Sequence, residues 1–305
     1  MTLLTRRTLL AGAAAGVALR ALPALAATPQ SFKHGDFEVT VISDGHLVLP
    51  ASFLAPGAKA DERTTLLRAA GQTGDSYNSP TNVTLVKSGN DLLLVDMGSG
   101  DRFMPTAGKL WENLKAAGID KAKITKVIFT HGHPDHLWGA VDEFDEPMLP
   151  DAAFYVGAAE WDFWHGDNAT QGLPAERAGF VTGARRNYAA IKDRVVMIKN
   201  GAEIVPGLQI VSTPGHTQGH VSIALKGSED LLITGDAISH PTISFAHPEW
   251  RTTADHMPDL GAATRVKLID RLAADKAKLI GFHLPYPGVG RVERKNGAYR
   301  YVAAI

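Results

Sequence analysis

The chain of 305 residues contains no cysteine. Disulfide staples, thiolate metal ligands and a cysteine nucleophile are excluded, so any metal would be held by nitrogen and oxygen alone. It also lacks an excess of either charge: 31 basic and 32 acidic residues give a formal net charge of -1. No basic stripe appears, which argues against nucleic acid or an anionic membrane as a partner. Long apolar runs are missing too. The stretch Leu9 to Leu19 is eleven residues, against the roughly 20 that a membrane-spanning helix needs. No internal repeat, low-complexity tract or linker interrupts 28–305. What is present is 45% hydrophobic residues with a mean hydropathy of -0.06, enough for a large core in water.

The first 27 residues read differently. Arg6-Arg7, a short apolar stretch and Ala24-Leu25-Ala26 ahead of Thr28 stand in the order of an export signal. The run Thr5-Arg6-Arg7-Thr8-Leu9-Leu10 resembles a twin-arginine signal, a route for folded proteins that suits one loading metal before export. Residues 1–27 are therefore expected to be a cleaved signal and 28–305 one domain, periplasmic or secreted, with no membrane anchor after cleavage.

Along 28–305, strands alternate with helical patterns, which points to an α/β sandwich. Phe37 to Ile42 reads as a strand entering a turn at Ser43-Asp44-Gly45, and Asn82–Lys87 with Leu92–Asp96 as a hairpin. Helical spacing runs from Met104 to Ala117 and stops at Gly118. Val127-Ile128-Phe129 is a wholly apolar strand of the buried kind. From Glu143 to Asn200 the pattern is irregular and aromatic, with Phe154-Tyr155-Val156 and a helix near Ala175 to Ile191. Strands return at Leu208–Ser212, Val221–Leu225, Leu231–Thr234 and Lys278–Gly281, a helix covers Ala262–Ala274, and Arg291–Val302 is a hairpin turning at Asn296-Gly297.

The run Thr130-His131-Gly132-His133-Pro134-Asp135-His136 follows one of these strands directly. Three imidazoles and a carboxylate in one tight loop would be costly to bury, and imidazole nitrogen and carboxylate oxygen are the ligands zinc prefers. Three more strand ends repeat a simpler pattern of apolar strand, glycine and ligand: His216 after Gly215, Asp236 after Gly235, and His283 two residues after Gly281. Strand-end loops gather at one edge of a sheet.

With these residues in place, the chain resembles the metallo-β-lactamase superfamily over nearly all of 28–305. That resemblance implies a four-layer αβ/βα sandwich of α/β class with two divalent metal ions, zinc foremost, along its edge. It implies that His131, His133 and His216 hold one metal, that Asp135, His136 and His283 hold the other, and that Asp236 bridges them. A shared hydroxide of lowered pKa would then be the nucleophile, with Asp135 and Asp236 passing a proton to the leaving group. Asp96, ending Leu94-Val95-Asp96, is expected to orient a ligand imidazole from behind, and His220 to make a structural hydrogen bond. His34, His46, His165, His240, His247 and His256 carry no such pattern and are expected to be ordinary. Phe103, Trp161, Trp164, Phe163 and Phe245 are candidates for an apolar substrate pocket.

Within the superfamily the chain resembles the methyl parathion hydrolase and lactonase-like branch, on Gly35 to Thr40, Ser43-Asp44-Gly45, Ala159 to Trp164 and His283 to Gly288. Acyl-homoserine lactonases place a tyrosine three residues beyond the bridging Asp, where this chain has Ser239. The expected activity is hydrolysis of an ester-like bond in a small-molecule substrate: lactone, aryl ester or organophosphate triester. A β-lactamase-like amidase and a non-enzymatic periplasmic zinc-binding protein are the alternatives, and a homodimer is the one assembly left open.

Overall fold

The apolar triplets that mark the strands are buried on both faces. In this computed structural model, which describes residues 28–171, 177–295 and 297–304, successive residues of each triplet point into different cores. In chain order the elements are β1 (Gln30–His34), β2 (Phe37–Pro50), α1 (Ala60–Ala69), β3 (Ser76–Ser88), β4 (Asp91–Val95), α2 (Leu110–Ala116), β5 (Lys126–Ile128) and α3 (Pro134–Leu137). They continue with β6 (Ala153–Gly157), α4 (Ala158–His165), α5 (Ala178–Ile191), β7 (Val195–Ile198), β8 (Glu203–Val205), β9 (Leu208–Ser212), β10 (Val221–Leu225) and β11 (Leu231–Ile233). The chain closes with α6 (Ile243–Ala246), α7 (Pro258–Asp275), β12 (Lys278–Ile280), β13 (Val289–Lys295) and β14 (Ala298–Ala303). The expected signal over 1–27, the first residues of the helix expected from Ala175, and Asn296 of the expected hairpin turn lie outside the described residues.

Two seven-stranded sheets result, in the orders β1-β2-β3-β4-β5-β6-β7 and β14-β13-β12-β11-β10-β9-β8. The first turns parallel from β4 to β7; the second is antiparallel except for β11 beside β12. Between the sheets lie Val39, Val41, Leu93, Val95 and Ile128 from one side and Ile210, Ile223, Ile233 and Ile280 from the other. The alternate residues Leu94, Val127 and Phe154 face outward under Leu114, Trp164 and Tyr188 of α2, α4 and α5. On the far side, Leu232 and Leu279 meet Phe245 of α6 and Ile269 and Leu272 of α7. Helix, sheet, sheet, helix: the period of two in each strand makes the four layers of the metallo-β-lactamase sandwich.

Four local readings change. The turn expected at Ser43-Asp44-Gly45 is a bulge: β2 runs on to Pro50, its pairing with β3 shifts between Ser43 and His46, and Gly45 takes φ +105°. The bulge turns the Asp44 carboxylate inward to accept from Ser99 N (2.9 Å), Gly108 N (3.1 Å) and Leu110 N (2.8 Å). Those bonds begin α2 at Leu110, so Met104 to Lys109, expected as helix, is loop. Helix α7 starts earlier than expected, at Pro258, a residue preorganised for the first helical turn. Ala158–His165, read as irregular, is helix.

Truncation in the inter-sheet core tests the layering. Ile223→Ala should cost about 2–5 kcal/mol in urea unfolding, whereas Val196→Ala, on the exposed side of β7, should stay within about 0.5 kcal/mol; equal losses would contradict the layering. Asp44 adds a pH dependence. Burial pushes its carboxyl up to about 6 although three N–H donors pull it down. The folded state thus holds this proton more tightly than the unfolded state, so the stability Asp44 contributes is full below the usual carboxylate range and falls as pH rises toward 6. Between about pH 4 and pH 7 the unfolding free energy should fall more steeply for the parental protein than for Asp44→Asn; parallel curves would count against this reading.

Candidate metal centre

The loop after β5 carries His131 and His133 and runs into α3 at Pro134, which brings Asp135 and His136. His216 follows β9, Asp236 follows β11 and His283 follows β12, so both sheets deliver side chains to one edge. The donors fall into two buried groups: His131, His133, His216 and Asp236, and Asp135, His136 and His283. Within each, one donor atom per residue lies within 4.8 Å of the others, and either group could hold a metal ion. In the first, His133 Nδ1 lies 2.9 Å from His131 Nε2 and 2.8 Å from His216 Nε2. Asp236 faces both groups: its Oδ2 is 3.2 Å from His216 Nε2 and from His283 Nε2, and its Oδ1 is 3.2 Å from His136 Nε2.

The outward nitrogens explain what the inward ones offer. His136 Nδ1 faces Asp96 Oδ2 at 2.7 Å, His216 Nδ1 faces Asp255 Oδ1 at 3.1 Å, and His283 Nδ1 faces Pro80 O at 2.8 Å. Carboxylates and carbonyls accept only, so these bonds place the ring proton outside and turn the inner lone pair toward the centre. Three inward atoms, Asp135 Oδ2, His136 Nε2 and Asp236 Oδ1, are buried without a hydrogen-bond partner among the described residues. Acceptors converging without a well-formed hydrogen bond are unfavourable unless protons or a cation sit among them, and the nitrogen–oxygen set fits a divalent cation.

Electrostatics follow the carboxylates rather than the two groups: Asp236 and Asp255 outweigh burial and raise His216, although it belongs with His131 and His133. Burial and the neighbouring imidazoles push His131 and His133 well below the usual histidine range. Burial also opposes charge on His136 and His283, but Asp236 and Asp135 outweigh it, raising His136 well above that range and His283 to about 10. Asp236 is itself held well below the carboxylate range, against burial, by His283, His136 and His216. Divalent metal binding at such a site displaces protons from the imidazoles.

Asp96 is where the orienting role needs it. Buried at φ +65°, a backbone region costing a non-glycine residue about 1–3 kcal/mol, it accepts from Thr130 N and Thr130 Oγ1, both at 2.8 Å, besides His136. His220 makes its structural hydrogen bond: Nε2 accepts from Asp236 N at 3.0 Å while Nδ1 faces Thr213 Oγ1 at 2.9 Å.

Three residues escaped the sequence reading. Asp255, which orients His216, is itself bound by the buried Arg265 at 2.7 Å. His256, expected to be ordinary, has its Nε2 2.8 Å from His133 Nε2. Both lie in an irregular segment with no strand before it; the Asp255-His256 pair itself was the only signal. Glu160, on α4, ties two ligand loops together. Its Oε1 accepts from Gly132 N (2.8 Å) and Trp164 Nε1 (2.6 Å), and its Oε2 from Thr217 Oγ1 (2.7 Å) and Gly219 N (3.0 Å).

A cavity of about 190 Å³ opens over the cluster, its floor formed by His133, Asp135, His216, Asp236 and His283. Its walls are mostly apolar: Leu47, Leu49, Phe53, Tyr77, Phe103, Met104 and Phe180, with Ser79, Arg177, Ser239 and Thr252 among them. Of the aromatic candidates only Phe103 lines it. Trp164 is wholly buried against Gly132, where a Cβ would collide with the indole. Trp161 stacks on His165, Phe163 packs on the outer core, and Phe245 lies beneath α7. Apolarity alone does not separate wall from core.

A sandwich of this topology with His and Asp donors at its strand ends is a metallo-hydrolase fold. The family model described as the metallo-β-lactamase superfamily matches residues 77–283, and the chain belongs to that superfamily. Among solved structures it is similar to AidC, a dizinc quorum-quenching lactonase, with 26% identity, a TM-score of 0.85, and 91% of this chain and 97% of that one covered. It is equally similar to the hydrolase AbOPH, with 27% identity, a TM-score of 0.85, and 91% and 98% covered. An uncharacterised protein of Mycobacterium tuberculosis is 31% identical over 161 residues, which is 50% of this chain and 64% of that relative. The chain thus matches somewhat under two thirds of that curated relative's length.

Glu160 has no spare lone pair and at least one backbone N–H donor on each oxygen, Gly132 N on Oε1 and Gly219 N on Oε2. Glu160→Gln must set its amide against a backbone N–H, at a cost of about 1–3 kcal/mol, and should weaken metal binding about 10–100-fold. Denaturation and chelator competition measure both; parental values in both would remove the bridging role.

Proposed function

We propose that the chain hydrolyses ester-like bonds with two divalent metal ions, zinc being the natural choice for this donor set. Lactones are the first substrates to test, then aryl esters and organophosphate triesters. The observation that carries this reading is Asp236, one oxygen toward His136 and the other between His216 and His283, under an apolar cavity. In this reading His131, His133 and His216 hold one ion, Asp135, His136 and His283 the other, and Asp236 both. Such a pair, when bound, activates water at neutral pH and polarises the oxygen of the bond under attack.

The protein's own residues do the rest. Asp96, Asp255 and Pro80 O fix the imidazole tautomers, and the apolar walls seat an uncharged substrate and exclude bulk water. In this reading Asp135, whose Oδ2 lies 3.3 Å from His283 Nε2, and Asp236 are the carboxylates that move a proton to the leaving group. AidC was solved with a product, N-hexanoyl-L-homoserine, which supports an acyl lactone as the first substrate. Export as a folded, metal-loaded protein is proposed on the Arg6-Arg7 segment, and cell fractionation tests it.

Purified protein should carry two metal equivalents, lose hydrolysis on chelation and regain it with zinc. Its substrates should come from a panel of a lactone, an aryl ester and a phosphotriester. Turnover of a chromogenic cephalosporin in preference to these would favour an amidase. Two bound metals without turnover of any panel member would leave a metal-binding protein instead.

A further inference from the structure

We propose that the Tyr77 hydroxyl is a substrate-contacting donor, giving its hydrogen bond to the oxygen on which negative charge develops as the ester-like bond is attacked. This rests on the hydrolase reading above. Tyr77 lines the cavity together with Asp236 and His283. Its ring is held on two sides. It meets His240 edge-on, with centroids 5.3 Å apart and planes at 79°, and it packs on the cluster of Leu54, Leu67 and Ile243. His240 is itself fixed, its Nδ1 accepting from Thr242 N and Ile243 N at 3.1 Å and its Nε2 facing Gln72 Oε1 at 3.2 Å.

The strand that carries Tyr77 also orients the cluster: Pro80 O, three residues on, accepts from His283 Nδ1. The same strand therefore carries the hydroxyl and braces the cluster. Among the described residues the Tyr77 hydroxyl has no hydrogen-bond partner, so on the cavity wall its proton is free for an acceptor that enters there. Two other polar groups on these walls are engaged elsewhere: Thr252 Oγ1 donates to Phe53 O, and Arg177 donates to Thr253 O, while Ser79 and Ser239 lack the rigid ring that holds the Tyr77 hydroxyl. Burial and the Asp236 charge both raise the Tyr77 pKa, so the group keeps its proton and acts as a donor, not as a base.

Tyr77→Phe removes only the hydroxyl and keeps the ring packing. On an aryl ester, kcat should fall about 100-fold with KM within about threefold, while metal content and thermal midpoint stay at parental values. Hexanoate, a carboxylate anion of product type, should bind the variant about tenfold more weakly by calorimetry. Unchanged kcat and unchanged hexanoate affinity in a protein that does hydrolyse esters would overturn the Tyr77 proposal and leave the hydrolase reading standing. Weakened hexanoate binding in a protein that hydrolyses no ester would do the reverse, supporting Tyr77 as the anion contact and removing the reaction.

Discussion

Seven imidazoles and carboxylates point their lone pairs at one another in a buried space, and the site depends on their being held from behind. Asp96, Asp255 and Pro80 O each take the outward proton of one ring, and Asp96 spends a left-handed backbone conformation to do so. Glu160 does the same for the main chain, gripping the loop of His131 and His133 with one oxygen and the loop after His216 with the other. The inward geometry is the residue of these outward bonds. A buried acceptor with all its donors in place is rigid, and rigidity lets like groups remain close without turning away.

The layers make this possible. Because the central strands β4, β5, β11 and β12 are buried on both faces, they are short and mostly apolar, and the polar work falls to the loops at their ends. The central strands of each sheet end at one edge, so ligands from distant parts of the sequence converge without any long excursion of chain. The bulge at Gly45 serves the same end. It frees Asp44 to hold the loop before α2, the loop that supplies Phe103 and Met104 to the cavity.

The gathering of the seven residues was legible because each lies within a few residues of the end of an apolar strand, and such a strand fixes where its end lies. The sandwich was legible for the same reason, through residues such as Val127, Leu232 and Leu279. The cavity walls were not. Phe53, Tyr77 and Phe180 come from three separate elements, while Trp164 and Phe245 look equally suitable in sequence and are core. Asp255 and His256 follow no strand, so nothing local announced them. Ser43-Asp44-Gly45 shows a third kind of failure: turn residues describe a bulge equally well, and only the partner strand decides between them.

Each of the two donor groups draws on both halves of the chain. His131 and His133 come from the first sheet, His216 and Asp236 from the second; Asp135 and His136 from the first, His283 from the second. Neither half alone owns a complete group. Any cation held by either one is a stitch across the sandwich, and closing the two halves and completing the donor set are a single event. A half-folded chain has no finished site with which to capture metal.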